Sequence, residues 1–331
     1  MNIMPWHAEL VETISDLEKR DALPHAVMLS GGEGLGVDVL AHTLARALLC
    51  ESPASGYPCG QCKACHLMEA GSHNDFMSLE LEEDAKQIKI SQVRSLVDFV
   101  SESSMRGGHK VAVINPVEDL NIAGSNALLK TLEEPAGDTI IFLVAQRQEA
   151  VLATIRSRCQ ILNIQPPSHE DALSWLMQSL PAADSDVVHS CLSISNGEPV
   201  TAMRFIEQDA WGQQKTMIEG LGAAVKRKKT VSDLAESWAD DYLQDRLVWL
   251  IQWIEQMIRF SSTEDESVFL NADSVAMLKY LAGKAGFSVL FELREAHLVQ
   301  LRLLMGSTNP NPQLLCESLI ILWQDLMRSS R

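Results

Sequence analysis

Four cysteines carry the most specific chemistry in this sequence. Cys50, Cys59, Cys62 and Cys65 follow the pattern C-x8-C-x2-C-x2-C within sixteen residues. Thiolates spaced as Cys-x-x-Cys can converge on one tetrahedral Zn2+. Gly56, Pro58 and Gly60 supply the turns that would return the last three cysteines to Cys50. Four sulfur ligands complete the coordination of zinc and leave no position for water, so the expected ion is structural and not catalytic. His66 and His73 are near enough in sequence to act as substitute ligands. A redox pair or an iron–sulfur cluster is the competing use of such a quartet. The chain has seven cysteines, and Met1 to Leu10 lacks the basic stretch and apolar run of a secretory signal. A disulfide framework is therefore not expected, and the expected location is the cytoplasm.

The second constellation is a glycine loop. Ala26-Val27-Met28-Leu29-Ser30 has the pattern of a buried strand, and Gly31-Gly32-Glu33-Gly34-Leu35-Gly36-Val37-Asp38 follows it. From Val37 to Cys50 the spacing of Leu40, Leu44, Ala47 and Leu48 predicts a helix. Strand, glycine turn and helix are the context of a phosphate-binding loop, G-x-x-x-x-G-K-[ST], in which backbone N–H groups cradle phosphates. Here the lysine position holds Val37 and the Mg2+-ligating hydroxyl position holds Asp38. Valine brings no charge to a phosphate, and aspartate repels one. A second apolar strand, Val111 to Ile114, continues into Asn115-Pro116 where a nucleotide hydrolase would place Asp-Glu. Gly31, Gly34, Gly36, Val37 and Asp38 thus form a degenerate loop, unable to support ATP hydrolysis. The alternative is that these segments are an ordinary turn and strand.

The elements that position these residues alternate between short apolar runs and helical patterns from Leu23 to about Pro166, as βαβ units of a parallel sheet do. Thr139 to Val144 is a further strand. Beyond Pro166-Pro167 the strand signals stop. Ser168 to Leu180 predicts a helix with Ser168 as N-cap and Asp171 at the third helical position, and helices follow at Asp186 to Asn196 and Val200 to Gln208. Further on, Leu243, Leu247, Leu250, Ile254 and Met257 recur at helical spacing. A last helix opens at Asn311-Pro312 with Leu315, Leu319, Leu322 and Leu326 on one face. The expected division is 1–166, 167–207 and 208–331.

With a net charge of −17 and an isoelectric point near 4.9, the chain lacks the basic face of a protein that binds nucleic acid alone. Lys226-Arg227-Lys228-Lys229 is its dense basic run and reads as a solvated loop. No apolar stretch reaches the roughly 18 residues of a bilayer span. Tyr242 to Phe260 carries Asp245, Arg246 and Glu255 and reads as a core helix.

Asn126-Ala127-Leu128-Leu129-Lys130-Thr131-Leu132-Glu133-Glu134-Pro135 strongly resembles a helix of AAA+ clamp-loader subunits. Further on, Ile155-Arg156-Ser157-Arg158-Cys159 contains Ser-Arg-Cys, the signature of that family's trans-acting arginine. Within the family the chain is similar to the delta-prime branch of bacterial DNA polymerase III, whose members keep this arginine and a zinc module and lose the ATP residues. The motor subunits offer a further arginine three residues past a glycine, whereas here Gly197-Glu198-Pro199 leads to Val200.

The resemblance implies an α/β AAA+ (P-loop-like) N-terminal domain with a zinc module, a small helical lid domain and an all-α collar. It implies that Arg158 serves a neighbouring subunit's nucleotide, with Ser157 and Cys159 shaping its turn. The internal alternative is an Arg158 paired with an acid of its own domain. It also implies as partners the gamma/tau motor subunits, the delta subunit, the sliding clamp and primed DNA, with no membrane. Arg94, in the predicted helix Ser91 to Val100, falls in a segment resembling the family's template-facing helix; a solvated surface arginine is the other reading. Polymerase activity would belong to the DNA polymerase III holoenzyme and not to this chain. The competing assignment within the family is an ATP-hydrolysing motor subunit, and outside it a free-standing zinc-dependent nucleic-acid binder.

Overall fold

Short apolar runs supply the strands of a single parallel sheet: β1 (Ala26–Ser30), β2 (Phe76–Glu80), β3 (Lys110–Asn115), β4 (Thr139–Ala145) and β5 (Gln160–Asn163), in the order β2-β3-β4-β1-β5. Alternation along the strands divides their side chains between two cores. Met28, Ala112, Ile114, Ile141 and Leu143 share one face, and Val27, Leu29, Val111, Val113, Phe142 and Val144 the other. The central strands β1, β3 and β4 are buried on both faces, which explains their uninterrupted apolar sequences.

The computed structural model describes residues 4–82, 85, 87–135, 137–306 and 310–329. These fall into two units, Met1–Ser179 with Gly197–Thr201, and Leu180–Asn196 with Ala202–Arg331. In the first unit the helices are α1 (Ala8–Lys19), α2 (Val37–Leu49), α3 (Lys63–Glu69), α4 (Ile90–Ser101), α5 (Ile122–Glu133), α6 (Ala153–Arg156) and α7 (His169–Ser179). Val11 and Ile14 of α1 with Leu40 and Leu44 of α2 cover one face of the sheet. Val93 and Leu96 of α4 with Leu128 and Leu132 of α5 cover the other. The result is the three-layered α/β domain expected of an AAA+ chain. The predicted start of α7 is formed as expected: the Asp171 N–H donates to Ser168 Oγ (3.1 Å), whose hydroxyl donates to the Asp171 carboxylate (2.6 Å).

The second unit is helical among its described residues: α8 (Ser185–Ile194), the greater part of α9 (Pro199–Glu207), α10 (Ala210–Val225), α11 (Val231–Trp238), α12 (Leu243–Thr263), α13 (Ala272–Ala282), α14 (Phe287–Met305) and α15 (Pro312–Ser329). The predicted stripe of α12 is core, since Leu243, Leu247, Leu250, Ile254 and Met257 are all buried. On α15, Leu315, Leu319 and Leu326 are buried and Leu322 is half-buried. Asn311 caps α15 by accepting the N–H groups of Gln313 (3.0 Å) and Leu314 (3.2 Å). Lys226 to Lys229 is an exposed loop between α10 and α11, as predicted. Among the described residues no helix is long and apolar enough to cross a membrane.

One buried polar link ties α14 to α15. His297, wholly buried, donates from Nδ1 to the Leu293 carbonyl (2.8 Å) and accepts the Trp323 indole N–H at Nε2 (3.0 Å). Both ring nitrogens are committed in the neutral form, and burial pushes the imidazole pKa down to about 4. The unfolded side chain titrates near 6.5. The contribution of this link is therefore full above pH 6.5 and is lost as pH falls toward 4, by roughly 3 kcal/mol across the window. Urea unfolding of the wild type against His297→Gln will show this loss only in the wild type.

Candidate functional site

The four cysteine sulfurs converge. Sγ–Sγ separations are 3.8 Å for Cys50–Cys62, 4.0 Å for Cys59–Cys65 and 3.7 Å for Cys50–Cys65, and all four lie within 4.8 Å of one another. A tetrahedral ion held by sulfurs at about 2.3 Å has edges of about 3.8 Å, so the quartet fits such an ion. Local backbone makes this possible: Cys50 leaves α2 in extended conformation, Gly60 turns with φ +74°, and Cys62 is the N-cap of α3.

Backbone amides point at the sulfurs. Cys50 Sγ accepts from Ser52 and Cys59 (3.4 and 3.3 Å), Cys59 Sγ from Gln61 and Cys62 (3.5 and 3.4 Å), and Cys62 Sγ from Cys65 (3.4 Å). Such N–H groups favour thiolates and orient them. The amides of Gln61 and Cys62 hold the Cys59 thiol below its ordinary value, whereas burial pushes Cys65 up to about 12. A cation is what would stabilise all four as thiolates together. The histidines considered as substitutes stay outside: His66 is exposed on α3, and His73 is buried with Nδ1 accepting the Asp75 N–H (3.2 Å).

The glycine loop leaves β1 at the carboxyl end of the sheet and enters α2 through Gly36, whose φ of +69° favours glycine. Val37 is buried beneath it. The chain itself covers the loop from two sides. From the N-terminal turn Pro5–His7, Trp6 Nε1 donates to the Leu35 carbonyl (2.9 Å), and Nε2 of buried His7 bonds the same oxygen (2.8 Å). Burial lowers the His7 pKa. Met4 lies so close that a Cβ on Gly36 would come 2.4 Å from its sulfur. From the other side comes Gly197–Thr201. A Cβ on Gly32 would fall 2.5 Å from Glu198 Oε1, and one on Gly34 would fall 2.4 Å from Glu198 Cβ and 2.6 Å from Oε2.

At the end of β3, Asn115 and Pro116 stand where a hydrolase needs carboxylates. Glu118, three residues past Asn115, is occupied elsewhere: its buried carboxylate accepts the N–H groups of Gln146 (3.1 Å) and Arg147 (2.9 Å) beyond β4. Burial raises its pKa.

Arg158 sits at the opposite end of the sheet. It precedes β5, whose Gln160 pairs with Val27 and whose Asn163 pairs with Ser30, the residue before the loop. At about 3.3 Å per residue, the arginine backbone and its own loop are on the order of 15 Å apart. Its Nε donates to Glu133 Oε1 (2.6 Å), its Nη2 pairs with the same carboxylate, and its Nη1 donates to the Thr154 carbonyl (2.9 Å). The acid of its own domain is therefore its partner in the isolated chain, and the side chain remains 31% exposed. Ser157 closes the α6 turn by donating to the Thr154 carbonyl (3.2 Å), and burial pushes the Cys159 thiol up to about 12, as for a small core side chain. Arg94 is exposed on α4, opposite the buried Val93, Leu96 and Val100.

The sequence reading missed Glu198, Glu133 and the Trp6–His7 cover as partners of these groups. The signals were present: Glu133 belongs to the helix motif, and Glu198 follows a glycine that turns with φ +81°.

Two family models match the chain, one described as "DNA polymerase III, delta subunit" over residues 6–168 and one as "DNA polymerase III, delta subunit, C terminal" over residues 208–325. DNA polymerase III subunit delta' of Pseudomonas aeruginosa is 36% identical over 325 residues, covering 98% of each chain. The subunit delta' of Haemophilus influenzae is 31% identical, covering 78% of this chain and 77% of its own. That of Escherichia coli K12 is 34% identical, covering 68% and 67%. This chain therefore belongs to the delta-prime family of bacterial DNA polymerase III subunits.

Proposed function

We propose that the chain is a non-hydrolysing member of the DNA polymerase III clamp loader. Its partners would be the gamma/tau motor subunits and the delta subunit, and the assembly would place a sliding clamp on primed DNA in the cytoplasm. Arg158 would complete the nucleotide site of a neighbouring motor subunit. The observation that carries this reading is the separation of the two functions across the sheet: a loop covered by the chain's own residues at one end, an arginine at the other. At that distance Arg158 cannot serve its own loop, so a phosphate for it must come from outside the chain.

A guanidinium offers a planar fork of donors to oxyanions. A neighbour's phosphate would take the place of the Glu133 carboxylate, one oxyanion for another. Val37, Asp38 and Asn115 count against the motor-subunit alternative. The proposed division is an AAA+ domain at 1–166, a lid at 167–207 and a collar at 208–331. The quartet Cys50, Cys59, Cys62 and Cys65 would hold a structural Zn2+ that braces the end of α2 against α3. Ser157 would shape the turn that presents Arg158, and Arg94 would contact template DNA in the assembled complex.

In a complex reconstituted with motor and delta subunits, Arg158→Ala will lower clamp- and DNA-stimulated ATP hydrolysis while size-exclusion shows assembly intact. Arginines of this kind are worth roughly 10³ or more at the site they serve, and Arg158→Lys will not restore the rate. Unchanged hydrolysis in Arg158→Ala would end the proposal. The purified chain will carry one zinc per molecule, and Cys62→Ser will lose it and become protease-sensitive between residues 50 and 70. Zinc affinity will fall as pH falls, because protons compete for the thiolates. A stoichiometric iron content would refute the zinc assignment.

A further inference from the structure

We propose that the phosphate loop has a ligand built into the chain: the carboxylate of Glu198 is the anion it holds. The close approaches leave little choice. Both Glu198 carboxylate oxygens lie within 2.6 Å of where a Cβ on Gly32 or Gly34 would be, and Thr201 Oγ1 lies 2.4 Å from the Gly34 position. Neither Gly32, with φ −56°, nor Gly34 is among the glycines held at positive φ, so their missing side chains serve space and not turn geometry. That space is filled by Glu198. The carboxylate is fixed in turn, since Thr201 Oγ1 donates to its Oε2 (3.0 Å) and Gly197, at φ +81°, turns the chain into the following helix.

The ligand chemistry follows from the loop's construction. A glycine loop opening a helix of 13 residues presents backbone N–H groups and the positive end of the helix dipole, which favour an anion. Val37 supplies no positive charge, so the loop is a weak site for free phosphate, to be filled only at high phosphate concentration and only when nothing else occupies it. A carboxylate tethered to the same unit needs no such help, because its effective concentration at the loop is set by the chain. The segment Gly197–Thr201 is thereby held on the loop without nucleotide, the loop has one permanent state, and added nucleotide has nothing to bind. This depends on the loop alone and stands or falls independently of Arg158 acting in trans.

Hydrogen exchange on the full chain tests it, with inorganic phosphate as the probe. In the wild type the amides of residues 31–38 will be protected, and millimolar phosphate will leave them unchanged. In Glu198→Ala they will exchange at least about tenfold faster, and phosphate will restore their protection. Glu198→Gln, which keeps the shape and removes the charge, will behave as Glu198→Ala does. Three outcomes overturn the proposal: protection unchanged in both variants, faster exchange that phosphate does not reverse, or a phosphate response in the wild type equal to that of the variants. The second would make Glu198 a packing contact only.

Discussion

A parallel sheet buried on both faces leaves only the two rows of strand ends for chemistry, and that constraint orders everything functional in this chain. With α1 and α2 on one face and α4 and α5 on the other, no side chain of β1, β3 or β4 is available within the layers. The loop after β1, Asn115 at the end of β3 and Arg147 after β4 gather at the carboxyl ends, where open α/β sheets place ligands. The connections that return to the amino ends deliver the end of α5 and the turn before β5, and with them Glu133 and Arg158. Which end a residue occupies is set by connectivity, because every strand runs the same way. The glycine loop and Arg158 lie at opposite ends, so either can change without moving the other.

How much of this could be read from sequence depended on burial. β1, β3 and β4 were legible because strands covered on both faces are continuous apolar runs. β2, Phe-Met-Ser-Leu-Glu, and β5, Gln-Ile-Leu-Asn, are the edge strands, half-exposed and mixed in composition, and no run announces them. The cysteine quartet was legible because ligand spacing is a local property, and so were the caps at Ser168 and Asn311. His73 was a reasonable substitute ligand by spacing. It is excluded by position, which spacing cannot show, since the ligand atoms that converge within 4.8 Å of one another are those of the four cysteines and do not include the ring nitrogens of His73. Contacts across the chain were not legible. Glu198 meets Gly32 only because the helical segment folds back, and Glu133 meets Arg158 only because α5 and α6 end on the same side of the sheet.

A glycine loop that opens a helix without a lysine beside it has an electrostatic consequence. The first turn of a helix has N–H groups without intrahelical partners, and in a covered position they cost free energy unless an acceptor reaches them. Asp38 in that first turn adds an acid near the helix start but belongs to α2 itself. Burying Val37 removes an apolar side chain from water, and the turn of Trp6 and His7 takes the Leu35 carbonyl. These changes close the loop by packing. Asp38 offsets part of the positive helix end, and the approach of the Glu198 carboxylate to Gly32 and Gly34 adds a second acid there.

The two carboxylates, Glu198 at the loop and Glu133 at the arginine, then differ in burial and in what fixes them. Glu198 is half-buried and accepts from Thr201, so an incoming anion would have to displace a fixed group from a covered site. Glu133 is 49% exposed and meets Arg158 at the surface, where such a pair is worth little, ~0–1 kcal/mol. In the proposed role, a neighbour's phosphate, bearing more charge than a carboxylate, would take that arginine at small cost. The same chemistry, an oxyanion on a site for oxyanions, is thus permanent at one end of the sheet and exchangeable at the other. Exposure and the Thr201 bond set the two apart, and in the proposed role they would let the chain ignore nucleotide of its own while its arginine answers to a neighbour's.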